Sequence, residues 1–215
     1  MYESRLKAAE SLAPLLKEYE KQKNTVVCAL PRGGVVIGAL LAKALSLPLE
    51  LICAKKIAAP GAEEFALGAT TNFGEVVWYP QAESFSMEEK LAALEIAKTT
   101  ASERFTLYYH NRLWPDFKGK TVLLVDDGIA TGATMECALA YLREKEAKKV
   151  VIAAPVAPLD TYERFSKLAD ECVIPLKPVD FYAVGQFYEQ FPQVTDQEVL
   201  NWVLEASPTP ESIGD

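Results

Sequence analysis

Asp126 and Asp127 stand side by side at the end of a short apolar run, Val122 to Val125, and are followed by Gly128, Ala130, Thr131, Gly132, Ala133 and Thr134. Two adjacent carboxylates can accept hydrogen bonds from vicinal hydroxyls. A loop of small and hydroxyl residues can turn tightly and present its amides to an anion. Vicinal hydroxyls beside a phosphate describe a ribose 5-phosphate. A Walker A loop is excluded because the Lys-Ser/Thr pair is missing, and a dinucleotide fingerprint because the glycine spacing is wrong. A second small-residue turn, Pro31-Arg32-Gly33-Gly34, also follows an apolar run, Thr25 to Leu30. On composition alone such a turn is more often a connection than an anion site.

Both turns need a strand before them and a helix after them. Val122 to Val125 and Thr25 to Leu30 read as strands buried on both faces. Met135, Ala138, Leu139 and Leu142 lie at i, i+3, i+4, i+7, and Val35 to Leu45 is nearly all apolar. Each spacing predicts a helix that aims its positive N-terminal end into its turn. Leu49 to Ala54 is expected as another strand, ending at Lys55 and Lys56. The stretch from Ile57 to Thr71, with Pro60, Gly61 and Gly68 and no helical stripe, reads as a mobile loop. Asn72 to Tyr79 reads as a strand or hairpin arm.

Leu6, Ala9, Leu12, Leu16 and Tyr19 form a first helical stripe, which Pro14 should interrupt near Ala13. Ser86 and Glu89 form a capping box for a long helix carrying Leu94, Ala97, Ala101, Phe105 and Tyr108 toward Leu113. Val150 to Pro155 and Cys172 to Ile174 are further strands. Asp160 with Glu163 and Thr195 with Glu198 are read as two more boxes, the first capping a helix with Tyr162, Phe165, Leu168 and Ala169 inward. His110, the one histidine, is read as a surface or packing residue. The alternation predicts an α/β fold, a parallel sheet flanked by helices, with ligands at the C-terminal ends of its strands.

The chain has 215 residues and a net charge of −8. One domain is expected over 1–206, with 207–215 a flexible tail. The negative charge opposes general binding to nucleic acid or anionic membrane, so any anion site must be local. The first residues show no charged-then-apolar pattern and the apolar run from Val35 to Ala42 is too short to span a bilayer, so a cytoplasmic location is expected. Cys28, Cys53, Cys137 and Cys172 occur singly, without metal-ligand spacing, and read as buried free thiols.

The stretch Lys120 to Met135, KTVLLVDDGIATGATM, closely resembles the phosphoribosyl pyrophosphate (PRPP) motif of the type I phosphoribosyltransferases. The resemblance extends in order from residue 25 to about 190 and implies that family's fold, a core of about 25–175 with a hood built from about 1–22 and 176–206. It implies that Leu30-Pro31-Arg32-Gly33-Gly34 is the pyrophosphate loop with a cis peptide before Arg32, and that Lys55 or Lys56 assists it. It implies a flexible loop closing over the pyrophosphate, a 5-phosphate held by Gly128, Ala130, Thr131, Gly132, Ala133 and Thr134, and ribose hydroxyls held by Asp126 and Asp127. Phe181, Tyr182, Phe187 and Tyr188 would line an acceptor site in the hood. Phe181-x-x-Val184-Gly185 looks like a segment of the hypoxanthine-guanine enzymes that places an acid four residues on, here Glu189, on a metal with Asp126 and Asp127. Mg²⁺, PRPP and a small-molecule acceptor follow as cofactor and substrates, and a homodimer as the assembly.

One position departs from the 6-oxopurine enzymes, which carry an aspartate as general base where this chain has Ala130. Adenine and orotate enzymes also have a small residue there. The sequence as a whole resembles the stand-alone phosphoribosyltransferases whose acceptor is unassigned. Three readings stay open: a phosphoribosyltransferase, a PRPP-sensing regulatory protein on the same fold, and a phosphoesterase or phosphate-binding module on a related sheet.

Overall fold

A computed structural model describes residues 1–109 and 115–206. His110, the end of the predicted long helix at Leu113, and the 207–215 tail lie outside the described residues. Five strands, β1 (Thr25–Ala29), β2 (Leu49–Leu51), β6 (Thr121–Val125), β7 (Lys149–Ala153) and β8 (Glu171–Val173), form one sheet in the order β2-β1-β6-β7-β8. All four pairings are parallel. The central strands β1, β6 and β7 are buried on both faces, as their unbroken apolar runs require, while the edge strand β8 is partly exposed. Val27, Ala29, Leu123 and Val125 face the helices α1 (Arg5–Leu12), α2 (Gly33–Leu45) and α6 (Asp196–Ala206). Val26, Cys28, Val122 and Leu124 alternate onto the opposite face, under Met135, Ala138 and Leu142 of α4 (Ala133–Glu144) and Phe165 of α5 (Leu159–Leu168).

Pro14 acts as expected: α1 stops at Leu12 and a 3₁₀ helix runs from Ala13 to Tyr19. Leu6 is exposed and Ala8 takes its place in the buried stripe. The Ser86–Glu89 box forms at the start of α3 (Met87–Tyr108), as does the Thr195–Glu198 box at α6. The Asp160 box does not. Pro158 stands at the N-cap of α5, so Asp160 already lies inside the first turn, where its carboxylate accepts from the Thr161 amide at 2.6 Å. Leu168, expected inward, is exposed.

The largest departure follows β2. The expected strand from Leu49 to Ala54 ends at Leu51, and Ala54 begins a separate antiparallel sheet of β3 (Ala54–Ala59), β4 (Ala62–Thr71) and β5 (Val76–Trp78). The expected mobile loop is therefore two paired strands turning at Pro60-Gly61. Ala and Gly are poor strand formers, which is why the segment reads as a loop. It is held as a sheet because Ile57, Ala59 and Leu67 bury against Ala93, Leu94 and Ala97 of α3, while Ala69 packs on Ala133 and Cys137 of α4. Small side chains are what allow both helices to approach.

Candidate active site

The C-terminal ends of β1 and β6 are neighbours in the sheet, so the two turns that follow them meet. They touch directly. The Pro31–Arg32 peptide is cis, as the resemblance implied, and Gly33 lies against the acid pair: a Cβ there would fall 1.8 Å from Asp127 Oδ2. Only glycine permits that approach.

Asp127 is held at several points. Arg5 donates to its Oδ2 from Nε at 2.8 Å and from Nη2 at 2.7 Å, and Tyr188 Oη donates to its backbone carbonyl at 2.6 Å. Its own amide donates to Asp126 Oδ1 at 2.8 Å. Burial, then the charge of Asp127, pushes the Asp126 carboxyl well above the usual carboxylate range. Burial raises Asp127 as well, and there the Arg5 guanidinium opposes it. Among the described residues, Asp127 thus makes a direct ion pair with Arg5, while Asp126 feels that cation only from a distance.

In the loop after the acids, Ala130 and Thr131 are exposed and Thr134 is half-buried. Gly128 is buried, and an added Cβ would fall 2.4 Å from Val184 Cγ1. Gly132 is the N-cap residue of α4 and supplies no side-chain cap. The first-turn amides at Ala133 and Thr134 thus keep the donor capacity that an uncapped helix start directs at an anion. Arg164, which sequence reasoning missed, shapes this loop: it pairs with Glu136 and donates to the Thr131 carbonyl at 2.5 Å. Thr161 Oγ1 donates to the Ala130 carbonyl at 3.1 Å.

Arg32 is three-quarters buried on its side chain and lies 3.9 Å from Asp196 Oδ1, which also accepts from Tyr108 Oη. Lys55 and Lys56 open β3 and border one cleft together. The Lys55 ammonium is pulled below the ordinary lysine range by burial, then by the cations of Arg104, Lys56 and, more distantly, Arg32. Arg104, on α3, was not legible as part of this cationic group.

The hood residues divide. Phe181 and Tyr182 border a cleft of about 610 Å³ with Ala130, Thr131 and Thr161, and Phe181 stacks on Phe187 with centroids 5.4 Å apart. Tyr188, expected to face the acceptor, is buried, stacks on Phe191 and spends its hydroxyl on Asp127. Glu189 is exposed, and among the described residues no group of three or more acid, His or Cys side chains gathers where a metal could bind. The expected trio with Asp126 and Asp127 is not assembled.

The model of the phosphoribosyl transferase domain family matches residues 2–190. The chain belongs to this family. The Mycobacterium tuberculosis protein named "Putative phosphoribosyl transferase Rv0571c" is 36% identical over 208 residues, 93% of this chain and 46% of that protein. The chain thus spans about half the length of the curated relatives it matches. Among solved structures, TT1426 from Thermus thermophilus superposes with a TM-score of 0.80 at 37% identity, covering 96% of this chain and 99% of that one. A purine phosphoribosyltransferase from Pyrococcus horikoshii shares the fold, with a TM-score of 0.51 at 20% identity over 91% of this chain and 97% of its own. Residues 2–190 thus include both turns, the antiparallel sheet and the segments 2–22 and 176–190. Among the described residues no helix is long and apolar enough to cross a membrane.

Proposed function

We propose that this chain transfers the 5-phosphoribosyl group of PRPP to a nitrogen acceptor with release of pyrophosphate, in a Mg²⁺-dependent reaction. The observation that supports the reading is the close approach of the Arg32-Gly33-Gly34 turn to Asp126 and Asp127, the acid pair whose loop runs into the uncapped start of α4. The helix start and Thr131 and Thr134 take the 5-phosphate, Asp126 and Asp127 take the ribose hydroxyls, and Arg32 with Lys55 faces the pyrophosphate.

As the acceptor's lone pair forms the bond to C1, the C1–O bond breaks with both electrons on pyrophosphate, through an oxocarbenium-like state. Fixed cations on one side and fixed acceptors on the other stabilise that charge separation without reorganising. A divalent ion fits this donor set, because Mg²⁺ usually takes only one or two protein carboxylates and completes its shell from phosphates and water. Asp126 and Asp127 would hold it with the substrate, and when bound it supplies charge neutralisation for the leaving pyrophosphate. The acceptor occupies the cleft beside Ala130, Thr161 and Phe181. Pyrophosphate release from PRPP, screened against bases and small amines with Mg²⁺ present, tests the reading. Tight PRPP binding without turnover of any acceptor would instead support a PRPP sensor. One observation favours that second reading: with Tyr188 turned to Asp127 and Tyr182 91% exposed, the hood offers few aromatic faces to a base.

A further inference from the structure

Arg5 is given no task by the assignments above, yet its side chain is among the most fully engaged in the molecule. It is 8% exposed, on the first turn of α1. Nε and Nη2 bind Asp127 Oδ2, Nη1 donates to the Pro192 carbonyl at 2.8 Å, and the guanidinium carbon lies 3.9 Å from the Phe191 ring centroid. Nη2 is also 3.1 Å from where a Gly33 Cβ would be. The guanidinium, the second acid and the turn of the cationic loop therefore meet at one point.

The segments around it are tied to each other. Tyr2 donates its amide to Phe187 at 2.7 Å, Glu189 donates to Tyr2 at 2.9 Å, and Gln190 donates to Glu3 at 3.0 Å. Segment 2–5 thus grips the Asp127 side chain through Arg5, while segment 187–192 grips its backbone through Tyr188. A lysine could neutralise Asp127. It could not reach a carboxylate and a carbonyl at once from a plane stacked on a ring, which is what a rigid fork of donors does.

Resting on the phosphoribosyl reading, we propose that Arg5 is the positioning residue of the ribose site. It occupies Oδ2 of Asp127 and leaves the second oxygen outside its fork, and that oxygen is the one assigned here to a ribose hydroxyl. Docking of the hood on the core thereby sets the geometry in which ribose phosphate is bound. A latch that only holds the fold together would affect every ligand alike, whereas a positioning residue acts on the hydroxyls.

The test compares ribose 5-phosphate with 2,3-dideoxyribose 5-phosphate, which keeps the phosphate and lacks both hydroxyls, on the full chain by calorimetry. Arg5→Gln should weaken ribose 5-phosphate roughly tenfold or more and the dideoxy compound less than about twofold. Arg5→Lys should recover only part of the loss. In an Asp127→Asn background, Arg5→Gln should add little, because both changes remove one unit. Equal weakening of both ligands, or a lowered Tm with the ribose 5-phosphate affinity intact, overturns the proposal. If Arg5→Gln does not fold, Arg5→Lys decides by the same ratio between the two ligands. Failure of the wild-type chain to bind ribose 5-phosphate overturns the phosphoribosyl reading and this inference together, whereas wild-type binding that the variants leave unchanged overturns the inference alone.

Discussion

At the scale of single residues, the site is governed by what is too close to change. Gly33 is the sharpest case, because the atoms a methyl would meet are the Oδ2 and Cγ of Asp127, at 1.8 and 2.6 Å. Gly33→Ala must push Asp127 off Arg5 or shift the turn, at a cost of about 1–3 kcal/mol by the usual scale of overpacking. We expect a lowered denaturation midpoint and ribose 5-phosphate binding at least about tenfold weaker. Affinity within twofold of wild type would show that the acid pair tolerates displacement. Ala130 governs a different step. A positioned base contributes about 10²- to 10⁴-fold to deprotonating an acceptor as its bond to C1 forms. Ala130 offers no such group. Hypoxanthine and guanine should therefore be turned over negligibly, and a specificity constant near about 10⁴ M⁻¹s⁻¹ for either would refute the argument.

At the scale of elements, the parallel sheet is stitched at its edge by side chains as well as by its ladder. Lys149, at the start of β7, donates to Glu171 Oε2 at 2.8 Å and to Tyr19 Oη at 2.6 Å, and Tyr19 donates to the same carboxylate at 2.6 Å. Burial alone would raise the Glu171 carboxyl, but the bonds from Lys149 and Tyr19 outweigh it and hold it below the ordinary range. A carboxyl depressed in the folded state stabilises above its unfolded pKa, roughly 4.3 for Glu, and loses that contribution as pH falls through the folded value. Glu171→Gln should cost about 1 kcal/mol at pH 7, a modest figure because the pair is partly solvated. Urea unfolding of both proteins at pH 7 and pH 3 checks this. The difference should close at the lower pH, and a gap that persists there would assign the loss to packing.

At the scale of the whole molecule, the terminal segments and the core are joined at the site as well as by apolar packing away from it. Asp196, in the first turn of α6, accepts from Tyr108 on α3 and faces Arg32, while Val199 and Val203 of the same helix enter the core beneath α2. A ligand that binds between these parts stabilises only the assembled chain. PRPP with Mg²⁺ at about 100 times its dissociation constant should add about 2.7 kcal/mol. For a chain of this size that is a rise in Tm of about 5–10 °C. Differential scanning calorimetry with millimolar PRPP and Mg²⁺ measures it, and an unmoved transition in folded protein would count against every reading in which PRPP is the ligand.

The central strands, the two turns at their ends, the Pro14 break and two of three capping boxes were readable from the chain, because each depends on neighbours close in sequence. A short apolar run of β-branched and leucine side chains that ends in a small-residue turn fits a doubly buried strand, and a strand, small loop and helix stripe in that order leave little other geometry. The Asp160 box failed for a reason equally local, a proline that moved the helix start back. What could not be read depends on partners far along the chain. Residues 57–71 became strands because α3 and α4 close on their small side chains, a contact absent from their own composition. Tyr188 turned inward and Glu189 outward because segment 187–190 pairs with Tyr2 and Glu3. Arg5 was the only arginine before Arg32, among Lys7, Lys17, Lys21 and Lys23, and that was its single signal. Its partner lies 122 positions away. Sequence thus determined the chemistry that the two turns could perform, and tertiary packing decided which side chains hold that chemistry in place, because a buried charge is set by the partners the fold brings to it.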